Sequence, residues 1–124
     1  MTVVWVMVAG GLGSGARYMV GQWAGQALGM SFPYGTLIVN LVGCFVLGVV
    51  VQLSASGSWS PDLRAAIAAG FLGGFTTYSS FNQETLALLT GGAAGAAIAY
   101  VAVTIAGGLA AGSLGLAVAR LIQS

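Results

Sequence analysis

The chain has 124 residues, of which 58% are hydrophobic and only 4% are charged, and its mean hydropathy is +0.99. Soluble domains carry roughly 25% charged residues, so the composition predicts an integral membrane protein. The absence of histidine and lysine excludes a lysine-rich nucleic-acid face, imidazole or Schiff-base catalysis and a histidine-ligated metal. A helical span needs about 20 apolar residues. Four transmembrane helices with short connections therefore account for residues 1–124 as a single domain.

The first span is predicted from about Val3 to Trp23. It starts with an apolar run and lacks the basic n-region of a cleaved signal, so we interpret it as a membrane helix. Gly11 and Gly15 form a small-xxx-small pair, which allows helices to approach closely. Arg17 also lies in this span, where an arginine usually snorkels or pairs. Its role is interpreted as a snorkelling anchor, an anion-attracting group at a vestibule, or a structural cap on buried carbonyls.

The second span begins after a short loop, with Pro33 near its first turn, and continues to about Leu53. Asn40 is alone as a polar residue in the middle of this span. Thr36 lies one turn earlier on the same helical face. Two interpretations of Asn40 stay open: an interhelical hydrogen bond, or a donor amide that lines a pathway.

The third span, from about Leu63 to Leu89, is interrupted by a polar, glycine-containing run at Gly70–Glu84. A membrane tolerates broken backbone only where protein or a water-filled cavity covers it. We predict that Gly73-Gly74 and Thr76-Thr77 break this span near its middle. The carbonyls freed there either bond neighbouring hydroxyls or water, or coordinate a hard cation such as sodium.

The polar groups that follow the break favour an anion over a cation. Tyr78 and Phe81 are three residues apart, so they share a helical face, and aromatic rings have a positive edge. Hydroxyls and amides donate hydrogen bonds, whereas cation pathways more often show rings of acidic residues. Glu84 is the only acid inside the predicted spans. The pattern suits a small, strongly hydrogen-bonding anion, with plain packing of the two rings as the alternative.

The fourth span is predicted from about Ala93 to Leu121. Tyr100 and Thr104 lie one turn apart on one face of it. Gly108 and Gly112 form a further small-xxx-small pair.

An even number of spans places both chain ends on one side of the membrane. Arg64 and Arg120 are expected on that side and Arg17 toward the other, which is a weak positive-inside signal. Such a chain is expected to insert in both orientations. Inverted repeats commonly build transport paths, and the chain has no internal repeat, so we hypothesise an antiparallel, dual-topology homodimer.

Two long motifs resemble those of the Fluc (CrcB) fluoride channels. Residues 32–43, FPYGTLIVNLVG, resemble that family's F-P-x-G-T-L-x-V-N-x-x-G, and residues 70–81, GFLGGFTTYSSF, resemble its G-F-x-G-G-x-T-T-F-S-T-F. The arginine-tyrosine pair at Arg17 resembles the end of its span-one motif. Length and four-span layout agree over the whole chain.

The resemblance implies passive, selective export of fluoride across the bacterial inner membrane, through two pores in an antiparallel homodimer. It also implies a structural, non-transported sodium ion at the dimer interface, held by the backbone carbonyls of Gly73 and Thr76 from each subunit. The fluoride pathway it implies comprises the pore asparagine, two ring positions and a polar track: Asn40, Tyr78, Phe81, Thr36, Ser79, Glu84, Tyr100 and Thr104.

Two positions depart from the family pattern. Tyr78 stands where the motif has phenylalanine, which keeps the ring edge and adds a hydroxyl. Gly108 follows Thr104 by one turn, where relatives carry a serine on the polar track.

Three other functions fit the sequence less well. A small proton-coupled multidrug exporter resembles this layout but needs an acid in span one, and span one has none. A non-transporting assembly subunit would use the polar residues for interhelical bonds alone. An enzyme is disfavoured because no nucleophile–base pair or metal-ligand cluster accompanies Glu84.

Overall fold

The computed structural model describes all 124 residues, and its regular structure is entirely helical. In chain order the elements are α1 (Thr2–Leu28), α2 (Tyr34–Ser54), α3 (Pro61–Ala65), a π-helical segment (Ala66–Leu72), α4 (Gly73–Phe75), α5 (Tyr78–Thr90) and α6 (Ala94–Gln123). Three of them, α1, α2 and α6, are long and apolar enough to cross a membrane. The predicted all-α fold and the predicted interruption of the third stretch are confirmed.

The interruption lies at Thr76 and Thr77, where the backbone becomes extended. Their φ/ψ angles are −89°/161° and −153°/122°. Gly73 keeps helical angles of −62°/−36°, and Gly74 lies inside α4. The prediction that Gly73-Gly74 break the helix is therefore wrong. Threonine side chains can replace backbone hydrogen bonds where a helix opens, whereas these glycines allow close packing.

Helix α1 packs tightly against the π-helical segment and α4. A Cβ atom on Gly74 would lie 2.3 Å from a carbonyl oxygen of α1, and one on Gly13 would lie 2.1 Å from the carbonyl oxygen of Phe71. The predicted contact pair is not part of this interface, because a Cβ atom on Gly11 or Gly15 would meet no atom within 4 Å. Two residues correspond to about 200° around a helix, so that pair faces away from the side that holds Gly13.

A second glycine-mediated contact joins α2 to α6. A Cβ atom on Gly48 would lie 2.3 Å from the carbonyl oxygen of Gly112, and one on Gly115 would lie 2.1 Å from the carbonyl oxygen of Phe45. Small residues of this kind let membrane helices approach until their backbones touch. Gly112, one member of the pair predicted in the fourth span, thus lies at a helix contact.

Two polar contacts define one end of the bundle. The Thr2 hydroxyl donates to Asp62 at the start of α3, and the Gln52 amide donates to Gln123 Oε1 at 3.1 Å. Both chain ends therefore lie at the same end as the α2–α3 loop. This arrangement agrees with the one expected for an even number of spans, and it places the α1–α2 and α5–α6 turns at the other end.

Candidate functional site

The break in the third stretch is held by the side chain of Asn40. Its Oδ1 accepts the Thr77 backbone N–H at 2.8 Å, and its Nδ2 donates to the Thr77 carbonyl at 3.1 Å. The carboxamide thus bonds both polar groups of one extended residue, as a neighbouring β-strand would. Asn40 therefore makes the interhelical hydrogen bond that was one of its two predicted roles. One of its two Nδ2 hydrogens remains for a second acceptor.

The two threonines of the break satisfy further backbone groups. The Thr77 hydroxyl accepts the Ser80 N–H at 3.2 Å and so caps the start of α5. The Thr76 hydroxyl donates to the Leu72 carbonyl at 2.9 Å. The break is consequently a stabilised structure with defined hydrogen-bond partners.

Arg17 reaches the break from α1. Its Nε donates to the Gly74 carbonyl at 3.0 Å, and the side chain is half-buried. Of the predicted interpretations, this contact corresponds to a structural cap on a buried carbonyl. Arg17 also lines a cavity of about 180 Å³ together with Thr77 and Ser80.

Four of the predicted pathway residues line one cleft of about 400 Å³, namely Asn40, Tyr78, Phe81 and Thr104. The Tyr78 and Phe81 rings are 5.9 Å apart at their centroids and tilted by 60°. Tyr78 is 78% exposed, so its ring faces the open side of the cleft. The buried hydroxyl oxygen of Thr104 has no hydrogen-bond partner. Buried polar atoms are nearly always paired, so this hydroxyl has an unused hydrogen-bonding capacity beside the cleft.

The two predicted sodium-binding residues border the same cleft. Gly73 and Thr76 are among its lining residues, on the side of the break. The predicted anion groups and the predicted cation groups therefore meet in one space.

A second cluster joins α2, α5 and α6 around Glu84 of α5. Its Oε2 accepts the Thr36 hydroxyl at 3.0 Å, and its Oε1 accepts the Tyr100 hydroxyl at 2.9 Å. Tyr100 is completely buried. Its ring lies 5.1 Å from that of Phe81, tilted by 58°, so Phe81 touches both the cleft and this cluster.

Beyond this cluster, Thr36 and Glu84 line another cavity, of about 370 Å³, near the α1–α2 turn. The Glu84 cluster thus borders this second cavity, and through the Tyr100–Phe81 ring contact it also adjoins the 400 Å³ cleft.

Ser79 lies apart from both clusters. It is exposed, and its hydroxyl is 3.3 Å from the Thr77 hydroxyl. It does not line the 400 Å³ cleft. Ser79 directly follows Tyr78 in α5, and one step along a helix turns its side chain by about 100° away from the ring.

Sequence reasoning placed Thr77 in the break but did not identify it as the N-cap of α5. The signal was present, since a threonine directly before a helix is a favoured N-cap whose oxygen accepts an early N–H of that helix. The sequence alone did not show that Asn40 would be the partner of Thr77 across the bundle.

Comparison with known proteins gives a consistent result. Residues 4–116 match the family model described as CrcB-like protein, Camphor Resistance (CrcB). The chain is 53% identical over 107 residues to a fluoride-specific ion channel FluC of Anaeromyxobacter dehalogenans, an alignment that covers 86% of this chain and 85% of the relative. It is 44% identical to a protein of the same name from Sorangium cellulosum, over 94% of this chain and 92% of the relative. A third relative with that name, from Acidobacterium capsulatum, is 42% identical over 98% of both chains.

Proposed function

Because the chain belongs to the CrcB family, we propose that it is a fluoride-selective ion channel which exports cytoplasmic fluoride passively across the bacterial inner membrane. The observation that carries the proposal is the 53% identity, over 86% of this chain, to a relative named as a fluoride-specific ion channel. Passive export would relieve the toxicity of fluoride that accumulates in the cytoplasm.

The geometry of the two clusters supports an anion path. Fluoride is small and strongly hydrated, so it crosses a bilayer only where hydrogen-bond donors replace its water. Asn40 and Thr104 line the 400 Å³ cleft and carry such donors, the second Nδ2 hydrogen of Asn40 and the unpaired hydroxyl of Thr104. Ring edges of Tyr78 and Phe81 add positive electrostatic potential beside them.

The path continues at the cluster around Glu84. An ion that passes Phe81 meets the Tyr100 and Thr36 hydroxyls, which bond Glu84 in its absence. These hydroxyls can exchange the carboxyl oxygen for the anion, after which the ion reaches the 370 Å³ cavity. Ser79 is assigned a minor part in the path, since it is exposed and lies off the cleft.

We place this pathway in an antiparallel homodimer of four-span subunits with one pore for each subunit. The cleft is open on the side of Tyr78, and Ile105 beside it is 56% exposed. A second copy against this face would close the cleft and bury the exposed apolar side chains beside it. The three arginines, two on one side and one toward the other, give only a weak orientation signal, which allows the two opposite orientations that such a dimer needs.

A structural sodium ion is proposed where the two breaks of the dimer face each other. Sodium is a hard cation that accepts oxygen ligands, and unwound carbonyls at interrupted membrane helices provide them. The donor set fits, because Thr76 has extended backbone, Gly73 begins the short helix that precedes it, and both border the cleft. When bound, the ion would link the two subunits and neutralise the carbonyl dipoles.

Reconstituted protein tests the channel assignment. In liposomes loaded with potassium fluoride and clamped by a potassium ionophore, a fluoride electrode should record rapid efflux. Liposomes loaded with potassium chloride are the matched control and should release almost no chloride. Equal fluxes of the two anions would reject the proposal.

A further inference from the structure

The Gly73 carbonyl has lost the hydrogen bond that a continuous helix would give it. In an α-helix the N–H of residue i+4 bonds the carbonyl of residue i. For Gly73 that donor is the N–H of Thr77, which donates to Asn40 Oδ1 at 2.8 Å. A side chain from α2 therefore removes the donor that would compete with a cation for this oxygen.

The Thr76 carbonyl is relieved of its donor in the same way. Its helical partner would be the Ser80 N–H, which instead donates to the Thr77 hydroxyl at 3.2 Å. Two different side chains thus take up two different N–H groups. Gly73 and Thr76, the two residues whose carbonyls the sodium site requires, are thus among those left without their helical donors.

The Gly74 carbonyl, which directly follows that of Gly73 in the chain, has a hydrogen-bond donor. The Gly74 carbonyl accepts a hydrogen bond from Arg17 Nε at 3.0 Å. A carbonyl bonded to a positive group is a poor ligand for a second cation, since the two charges repel. Arg17 therefore removes Gly74 from the set of possible ligands.

We infer that Asn40 and Thr77 are positioning residues for the cation site, which act by diverting the backbone N–H groups that would otherwise occupy its carbonyl ligands. The inference rests on the proposed function and extends it. It gives Asn40 two roles, because the same carboxamide lines the anion cleft and opens the Gly73 carbonyl. The anion path and the cation site are then coupled through one side chain.

Thr77 provides the cleaner test, since it has no assigned part in the anion path. Thr77→Val keeps the shape of the side chain and removes the acceptor, so the Ser80 N–H is free to return to the Thr76 carbonyl. Thr77→Ser keeps the acceptor and is the matched control. Sodium binding is measured on the purified full-length dimer in detergent, by sodium NMR relaxation and by the rise in Tm with sodium chloride. N-methylglucamine chloride controls for ionic strength.

The expected result is a loss of sodium affinity of roughly tenfold or more in Thr77→Val, with Thr77→Ser within about twofold of the native protein. Equal sodium affinity in all three proteins overturns the inference. Fluoride flux of the native protein, measured in the same preparation, shows separately whether the channel assignment stands. If the native protein transports fluoride and binds no sodium, this inference fails together with the sodium site, and the channel assignment remains.

Asn40→Asp tests the inference where Thr77→Val does not assemble. A carboxylate still accepts the Thr77 N–H, so the Gly73 carbonyl stays open and sodium affinity should be at least that of the native protein. Loss of sodium binding in Asn40→Asp, with the dimer intact on size-exclusion chromatography, contradicts the inference.

Discussion

Replacing Tyr100 by phenylalanine isolates one hydrogen bond of the Glu84 cluster. The hydroxyl donates to Glu84 Oε1 at 2.9 Å, and Tyr100 is completely buried. The ring contacts with Phe81 and Phe32, at centroid distances of 5.1 and 5.4 Å, do not involve the hydroxyl and should survive. Tyr100→Phe therefore removes a donor and leaves the packing in place.

The loss of this hydrogen bond should change both the stability of the protein and the rate of fluoride efflux. Hydrogen bonds between side chains inside membrane proteins contribute about 0.6 kcal/mol on average and up to about 1.7 kcal/mol. The bond to Glu84 should lie toward the upper end, because no water replaces a donor at a fully buried position. A hydrogen bond to a charged group is worth about 1.5–3 kcal/mol, so losing this donor to a passing anion should slow fluoride about tenfold or more.

The assay measures both effects on one preparation. Thermal unfolding in detergent gives the stability change, and fluoride efflux from liposomes gives the rate. Thr36→Val is the matched variant, since it removes the other donor to Glu84, at 3.0 Å. Tyr100→Phe with normal fluoride efflux would remove the Tyr100 hydroxyl from the path, and a loss of stability alone would assign the hydroxyl to a structural hydrogen bond with Glu84.

Four further outcomes are expected. Asn40→Asp should abolish most fluoride efflux, because it places a negative charge beside the anion and removes the amide donor, and efflux at the native rate would take Asn40 out of the pathway. Gly13→Ala should lower stability by about 2 kcal/mol or more in thermal unfolding, since its Cβ atom would lie 2.1 Å from the Phe71 carbonyl oxygen, whereas Gly11→Ala, which meets no atom within 4 Å, should be close to neutral. Thr76→Ser should keep sodium binding, measured by sodium NMR, because its hydroxyl still donates to a helix carbonyl and the proposed ligand is the backbone oxygen. Several lysines in the α2–α3 loop should force one orientation and impair fluoride efflux, and full activity from such a population would contradict the antiparallel dimer.

Helical periodicity alone brought several site residues close to their observed places. Tyr100 and Thr104 share a face of α6, and Tyr78 and Phe81 share a face of α5, as three- and four-residue spacing requires. The same rule accounts for Ser79, whose neighbouring position turns it off the cleft. Periodicity describes one helix at a time, so it did not show that Glu84 bonds partners on two other helices. Those bonds depend on how α2, α5 and α6 pack.

The break lies at the threonines and not at the glycines. Composition therefore predicts that this helix is weak, but it does not predict at which residue the helix opens. Glycine lowers helix stability everywhere along a span, yet opening exposes N–H and carbonyl groups that need new partners. At Thr77 both backbone groups find a partner in Asn40, and the threonine hydroxyl accepts the Ser80 N–H in place of a helical carbonyl. At Gly74 the closely packed α1 leaves no room for an altered backbone, since a Cβ atom there would lie 2.3 Å from the Gly10 carbonyl oxygen, and the helix continues through Gly73 and Gly74. The glycines bring α1 and its arginine close to the break, and the polar side chains decide which carbonyls remain open.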